Sequence, residues 1–198
     1  MMEMKEKNQD IKNMHIQNLK KIIFLDRDGT IIEDHNYIKD LDQVHFIPGA
    51  MEALKKLQKS FLLVIVTNQS GIGRGYYTIE DFHKVNGYMM RQLERQGINI
   101  QTTLFCDHSP EANCECRKPG IKLVNDFLRK KKFSIDKKNS WMIGDKKRDI
   151  KFGENLGIKT ILLKTGKAGQ ENEDFKVSPS FVAASLADVP DIIAGAYD

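Results

Sequence analysis

Five short apolar runs recur along the chain: "KIIFLD" (21–26), "FLLVIVTN" (61–68), "TTLFC" (102–106), "WMIGD" (141–145) and "TILL" (160–163). Runs of this length, apolar on both faces, read as strands buried on both sides. Helix-period segments lie between them. Phe82, Val85, Met89 and Leu93 follow Thr78, a fitting N-cap; Leu54 and Leu57 mark a shorter helix after "PGA"; and Ile121 to Lys132, with Leu123, Val124, Phe127 and Leu128, form a third. Strands alternating with helices predict a parallel sheet covered on both faces, an α/β Rossmann-like three-layer sandwich. With 198 residues the chain can bury one core and is short for two, so a single domain is expected over 21–198. Residues 1–20, rich in Lys, Asn, Gln and Glu and without an apolar signal core, read as a frayed tail. No apolar run approaches the roughly 20 residues that span a bilayer, which predicts a cytoplasmic protein with no membrane partner.

The chemically suggestive residues fall at the carboxyl ends of these strands. Asp26 ends the first, Thr67 and Asn68 the second, Cys106 the third and Asp145 the fourth. Open α/β sheets bind ligands in the crevice outside those ends, so the loops there should build one site. In "FLDRDGTII", Asp26 and Asp28 are two apart on extended chain, which directs both side chains one way and Arg27 the other, before Gly29 allows a tight turn. Adjacent carboxylates repel unless a cation lies between them, and Asp145 adds a third from another strand end. A hard, oxygen-liganded cation such as Mg²⁺ fits that cluster. Turn and N-cap aspartates are the plainer alternative for any one of them, but an apolar strand, then D-x-D-G-T, then G-D-x-x-x-D is far more specific than its parts.

All three cysteines lie within 106–116, in the pattern Cys106-x-His108-x₅-Cys114-x-Cys116. Three thiolates and an imidazole make a closed tetrahedral Zn²⁺ site with no position left for water, hence structural. A disulfide or redox site competes poorly: three cysteines leave one unpaired, C-x-C makes a strained disulfide, and a cytoplasmic protein sits in a reducing medium.

Together "DRDGT", "VTNQSG", "CRKP" and "IGDKKRD", in this order over roughly residues 21–165, resemble the haloacid dehalogenase-type phosphatases. The resemblance implies that Asp26 attacks phosphorus to form an aspartyl-phosphate and that Asp28 serves as general acid and then base. It further implies that Mg²⁺ is held by Asp26, the backbone carbonyl of Asp28, and Asp145, while Thr67 and Lys118 hold the transferring phosphoryl group. Asp149 is either a helix N-terminal carboxylate or an orienting partner of Lys118 or the metal. Neither the 40 residues from Asp28 to Asn68 nor the segment from Asn68 to Lys118 leaves room for a cap domain, so the site is expected to be capless and open.

The cysteine loop is similar to that of a zinc-bearing branch of these phosphatases, which includes heptose bisphosphate and histidinol-phosphate phosphatases. Zinc would order a loop poor in apolar residues and so present Arg117 and Lys118. "EDHNYIKDLDQVHFIPGA", "VTNQSGIGRGYYT" and "LLKTGK" resemble the heptose enzymes of this branch. That resemblance implies a substrate loop of Asp34, His35, Asn36 and Tyr37, with polar contacts from Asn68, Gln69, Ser70, Arg117 and Lys146. Arg117 would meet a second phosphate. Gly71, Gly73 and Gly75 lack the G-x-G-x-x-G spacing and read as a flexible turn.

The short gap between His108 and Cys114 is shared with histidinol-phosphate phosphatases, for which Glu111 and Glu115 would be candidate partners of a cationic substrate. A phospho-ligand binding module and a DNA 3′-phosphatase are further alternatives. The first does not need both Asp26 and Asp28; the second predicts a basic groove, whereas the net charge of +4 is a mild excess without a clustered basic face beyond the N-terminal tail and "RKKK" (129–132), read as a solvated helix end. The expectation is a small phosphorylated sugar as substrate, no nucleic acid, and a monomer. Residues 166–198 read as a short strand and a capping helix that close the sheet edge.

Overall fold

A computed structural model describes residues 18–167 and 176–196, so most of the expected N-terminal tail lies outside the described residues. In chain order the elements are β1 (Leu19–Lys20), β2 (Ile22–Leu25), α1 (Ala50–Leu57), β3 (Leu62–Asn68), α2 (Ser70–Gly73), α3 (Ile79–Arg95), β4 (Ile100–Cys106), α4 (Lys122–Lys131), β5 (Ser134–Ile135), β6 (Trp141–Gly144), α5 (Lys147–Leu156), β7 (Lys159–Leu163), β8 (Phe181–Ala183) and α6 (Val189–Gly195). Six strands form one parallel sheet in the order β4-β3-β2-β6-β7-β8. The chain leaves the central β2 to lay β3 and β4 on one side, then returns to lay β6, β7 and β8 on the other. The resulting switch point lies where β2, β3 and β6 end, the place at which such sheets open a crevice.

The period-2 alternation of the strands divides the core in two. Ile23, Leu25, Leu63, Ile65, Trp141 and Ile143 face Leu54 and Leu57 of α1, Val85, Met89 and Leu93 of α3, and Val189 and Ile193 of α6. Ile22, Phe24, Val64, Val66 and Met142 face Val124 and Phe127 of α4 and Phe152 and Leu156 of α5. The expected three-layer sandwich is therefore present, with the C-terminal strand and helix closing the β7 edge as anticipated. Helix α3 begins in a capping box in which Thr78 Oγ1 accepts from Asp81 N–H (3.1 Å) and Asp81 accepts from Thr78 N–H (2.8 Å).

Two features depart from expectation. Leu19–Lys20, assigned to the tail, pairs in parallel with Ser134–Ile135 as a small separate sheet. Of the glycines after β3, Gly71 and Gly73 lie in a short helix rather than a flexible turn, while Gly75 (φ 70°) sits in the turn that follows; a β-carbon at Gly73 would strike the backbone of Asp107, His108 and Ser109, so this glycine lets α2 pass directly over the cysteine loop. Between Asp28 and β3 the chain makes an antiparallel bridge (Ile32 to Phe46), one 3₁₀ turn and α1, and no cap domain is present among the described residues.

Candidate active site

Asp26 follows the last residue of β2, and its N–H donates to Ile143 O on β6 (3.0 Å), which ties the two strand ends together. Lys118, buried to 2% exposure, reaches in from beyond β4. Its Nζ lies 2.9 Å from Asp26 Oδ1 and 2.6 Å from Asp149 Oδ1, and donates to Val66 O at 2.6 Å. Asn68 fixes the lysine's backbone by accepting from its N–H (2.9 Å) and donating to its carbonyl (3.1 Å). Asp149 fills both roles left open by the sequence. Its Oδ2 accepts from Lys146 N–H at the start of α5, and its Oδ1 pairs with Lys118. Burial by itself would raise the Asp26 carboxyl, but the ammonium groups of Lys118 and Lys146 override it and hold it down at about 2. Asp26 is thus an ionised carboxylate in a nearly dry site.

Asp26, Asp145 and Asp149 form one buried acidic cluster. Burial, reinforced by the charges of Asp26 and Asp149 and opposed by Lys146, pushes Asp145 up to about 7. The Lys146 ammonium sits 3.6 Å from Asp26 Oδ2, 3.0 Å from Asp28 O, 3.1 Å from Asp145 Oδ1 and 3.3 Å from Asp34 Oδ2. Three of these four oxygens are the expected Mg²⁺ ligands: the carboxylates of Asp26 and Asp145 and the carbonyl of Asp28. They converge on one point that already holds a positive charge, so the residues present fit a hard divalent cation. Gly29, at φ 84°, keeps this cluster close to the turn, since a β-carbon there would lie 2.5 Å from Asp145 Oδ2.

The Asp28 carboxylate stands apart from that cluster, and Arg27 is not directed away from it. β2 ends at Leu25, the strand alternation stops, and the Arg27 guanidinium folds back onto its neighbour. Nε donates to Asp28 Oδ1 (3.0 Å) and Nη2 to Oδ2 (2.9 Å), with Arg27 wholly buried. Gln69 Nε2 donates both to Asp28 Oδ2 (2.9 Å) and to Thr67 Oγ1 (2.8 Å). Because the threonine hydroxyl accepts there, its proton remains to be donated toward the crevice.

A cleft opens beside Asp28, lined among others by Asp34, Asn36, Tyr37, Asn68, Gln69, Ser70 and Lys146, all expected substrate residues. Asp34 Oδ1 accepts from Asn36 N–H (3.0 Å), and Asn36 and Tyr37 both adopt left-handed backbone (φ 52° and 46°), a strained turn that points Tyr37 against Tyr76 with ring centroids 4.6 Å apart. His35 and Arg117 are not among the lining residues. His35 Nε2 pairs with Glu33 at 3.0 Å and its ring stands edge-on to His45. The side-chain amides of Asn68 and Gln69, expected on substrate, are instead engaged with Lys118, Asp28 and Thr67. Tyr77, Arg148 and Lys167 line the cleft without having been expected there. Each lies inside a motif that the sequence already marks, "GYYT", "GDKKRD" and "LLKTGK", but nothing in the residue pattern distinguishes it from its neighbours.

At the end of β4 the cysteine loop gathers its four donors. Cys106 Sγ lies 3.5 Å from Cys114 Sγ and 3.3 Å from Cys116 Sγ; Cys114 and Cys116 are 3.3 Å apart, and His108 Nδ1 is 3.7 and 3.3 Å from Cys106 and Cys116. A disulfide would bring sulfurs to about 2.05 Å. Ligands about 2.3 Å from a tetrahedral Zn²⁺ stand roughly 3.8 Å from one another, close to what is seen. All three thiols are free, and the donor set fits zinc.

Comparison with known proteins agrees with this geometry. The HAD-hydrolase-like family model matches residues 115–189. A D-glycero-beta-D-manno-heptose-1,7-bisphosphate 7-phosphatase of Pasteurella multocida is 40% identical over 89% of this chain and 98% of its own length. A protein of the same name from Helicobacter pylori is 38% identical over 80% of this chain and 95% of its own. Among solved structures, the D,D-heptose 1,7-bisphosphate phosphatase of B. bronchiseptica, complexed with magnesium and phosphate, superposes with a TM-score of 0.79 at 27% identity, covering 89% of this chain and 99% of that one. The fold, the carboxylate constellation and relatives alike along nearly their full length lead to one conclusion: the chain belongs to the heptose-1,7-bisphosphate 7-phosphatase family of haloacid dehalogenase-like phosphatases.

Proposed function

We propose that this chain hydrolyses the 7-phosphate of D-glycero-D-manno-heptose 1,7-bisphosphate, a step toward nucleotide-activated heptose for lipopolysaccharide cores, as a cytoplasmic monomer. The observation that carries the reading is the ionised, buried Asp26 held between Lys118 and Lys146, beside a polar cleft that Asp28 and Lys146 line. Asp26 attacks phosphorus, the P–O ester bond breaks, and Asp28 passes a proton to the departing sugar oxygen. Asp28, now a carboxylate, takes a proton from the water that attacks the aspartyl-phosphate, and inorganic phosphate leaves. Lys118 and the Thr67 hydroxyl hold the phosphoryl oxygens, and Asp149 keeps Lys118 aimed at Asp26. Asp26, Asp145 and the Asp28 carbonyl would hold Mg²⁺, which supplies charge neutralisation at the phosphoryl group when bound. Cys106, His108, Cys114 and Cys116 would hold a structural Zn²⁺.

The second phosphate and hydroxyls of a heptose need cations and hydrogen-bond partners, and the cleft offers Lys146, Arg148 and Lys167 together with Asn36, Tyr37 and Ser70. Glu111, the acid that histidinol phosphate would want, is already paired with Arg74 at 2.9 Å. Phosphate release with Mg²⁺ from heptose 1,7-bisphosphate and from histidinol phosphate, with Asp26→Asn as the blank, tests the reading. A preference for the bisphosphate of at least a hundredfold in kcat/KM, about 3 kcal/mol of transition-state discrimination, is expected. A preference for histidinol phosphate would overturn it.

A further inference from the structure

The cluster around Asp28 contains more buried hydrogen bonding than a proton donor needs for its own stability. Arg27 is 0% exposed, a charge that a folded protein keeps only when it is paired; its Nε and Nη2 are bonded, while its Nη1 is buried without a hydrogen-bond partner among the described residues. Its fork closes on both oxygens of Asp28 (3.0 and 2.9 Å), its Nη2 also reaches Gln69 Oε1 at 3.2 Å, and its guanidinium lies over the Phe82 ring at 5.4 Å. Tyr77, 6% exposed, donates its phenol hydrogen to the same Gln69 Oε1 at 2.7 Å. Burial pushes the Tyr77 phenol up, so it remains a donor.

Two donors on Oε1 leave Gln69 a single orientation, in which Nε2 must donate to Asp28 Oδ2 and Thr67 Oγ1. The Tyr77 ring in turn is pressed against Gly71, where a side chain would collide with it. A donor that must meet the leaving oxygen within a few tenths of an ångström needs such a second set of contacts.

We propose that Arg27, Gln69 and Tyr77 are positioning residues that aim Asp28 at the leaving-group oxygen and hold the carboxylate formed when its proton departs. Asp28 Oδ2 accepts from both Arg27 Nη2 and Gln69 Nε2, which uses both of its lone pairs, so the transferred proton is carried on Oδ1, where Arg27 Nε is the bonded donor. Gln69 also sets the distance between Asp28 and Thr67, so that proton donation and phosphoryl binding stay in register. The inference rests on Asp28 acting as the leaving-group acid, as in the reading above.

An aryl ester such as p-nitrophenyl phosphate departs as an anion and needs no proton, whereas a sugar alkyl phosphate needs one. The quantity to measure is therefore kcat/KM on a sugar phosphate divided by kcat/KM on p-nitrophenyl phosphate, since kcat/KM extends only to departure of the leaving group and excludes the water attack that both esters share. Tyr77→Phe, which keeps the ring and removes one hydrogen bond, should lower this ratio about tenfold, and Arg27→Met about a hundredfold. Thermal melts identify any variant that fails to fold, and Tyr77→Phe carries the test if Arg27→Met does. Equal losses on both esters, or no loss in Tyr77→Phe, would overturn the proposal. Asp28→Asn separates the two ideas. If it lowers the ratio while folded Tyr77→Phe does not, the positioning inference alone falls; if Asp28→Asn leaves the ratio unchanged, the acid role and the inference fall together.

Discussion

A carboxylate between two ammonium groups and a carboxylate crowded by two others sit a few ångströms apart, and they respond to pH in opposite senses. Asp26 is held at about 2, below the ordinary value of 3.8, so the stability it contributes is present above about pH 4 and is lost as pH falls through about 2. Asp145 is raised to about 7, so the folded metal-free protein retains a proton that the unfolded chain releases, and stability declines as pH rises from about 4 to about 7. A divalent cation requires the ionised form of Asp145 and removes that penalty. The rise in melting temperature produced by Mg²⁺ should accordingly be larger at about pH 8 than at about pH 5.5; an equal rise at both would contradict the assignment of Asp145 as a ligand. Asp26, Asp145 and Lys118 were legible in the sequence because their motifs are specific. The Arg27 fork is not legible there, because alternation holds only along a strand: β2 stops at Leu25, and the turning chain through Asp26–Asp28 no longer sends neighbours to opposite faces.

At the scale of elements, the crevice is shaped by how α2, the cysteine loop and α5 abut. Gly73 brings α2 onto the loop backbone, and Asn68 ties the end of β3 to Lys118, just past the last cysteine. Disorder in the loop is thereby transmitted to Lys118. Cys114→Ser should lose zinc, measured by elemental analysis, and lower kcat through a displaced Lys118; unchanged metal content would remove the zinc assignment. On the sheet face that α4 and α5 cover, Phe152 anchors α5 against Phe24 of the central β2 with ring centroids 6.0 Å apart, and α5 carries Asp149. Phe152→Ala should destabilise the fold by about 3–5 kcal/mol in denaturant titration, a large share of the stability of a domain this size. A loss below 1 kcal/mol would mean that the site collapses around the cavity. The strands and three of these helices were readable from periodicity. The β1–β5 pair was not, since two-residue strands carry no period and their pairing is decided by chain geometry far from either.

Across the described residues, the strand order places Asp26, Thr67, Lys118 and Asp145 at one end of a single sheet, and no cap covers that end among them. On the proposed function, selection among substrates would fall to the cleft-lining residues of the loops at 34–37 and 68–71 and to the cations Lys146, Arg148 and Lys167. Sequence order already predicts which strand ends meet. It does not reveal that His35 turns toward Glu33 and His45, or that Arg148 and Lys167 enter the cleft, because such details depend on loop closure and not on any local pattern. The same open architecture makes regiochemistry the sharpest test of the account. The reaction of the purified protein with Mg²⁺ and heptose 1,7-bisphosphate can be followed by phosphorus NMR. The 7-phosphate resonance should disappear as inorganic phosphate grows while the anomeric phosphate persists, and Asp26→Asn should show neither change. Loss of the anomeric phosphate, or release of phosphate by Asp26→Asn at the wild-type rate, would contradict it.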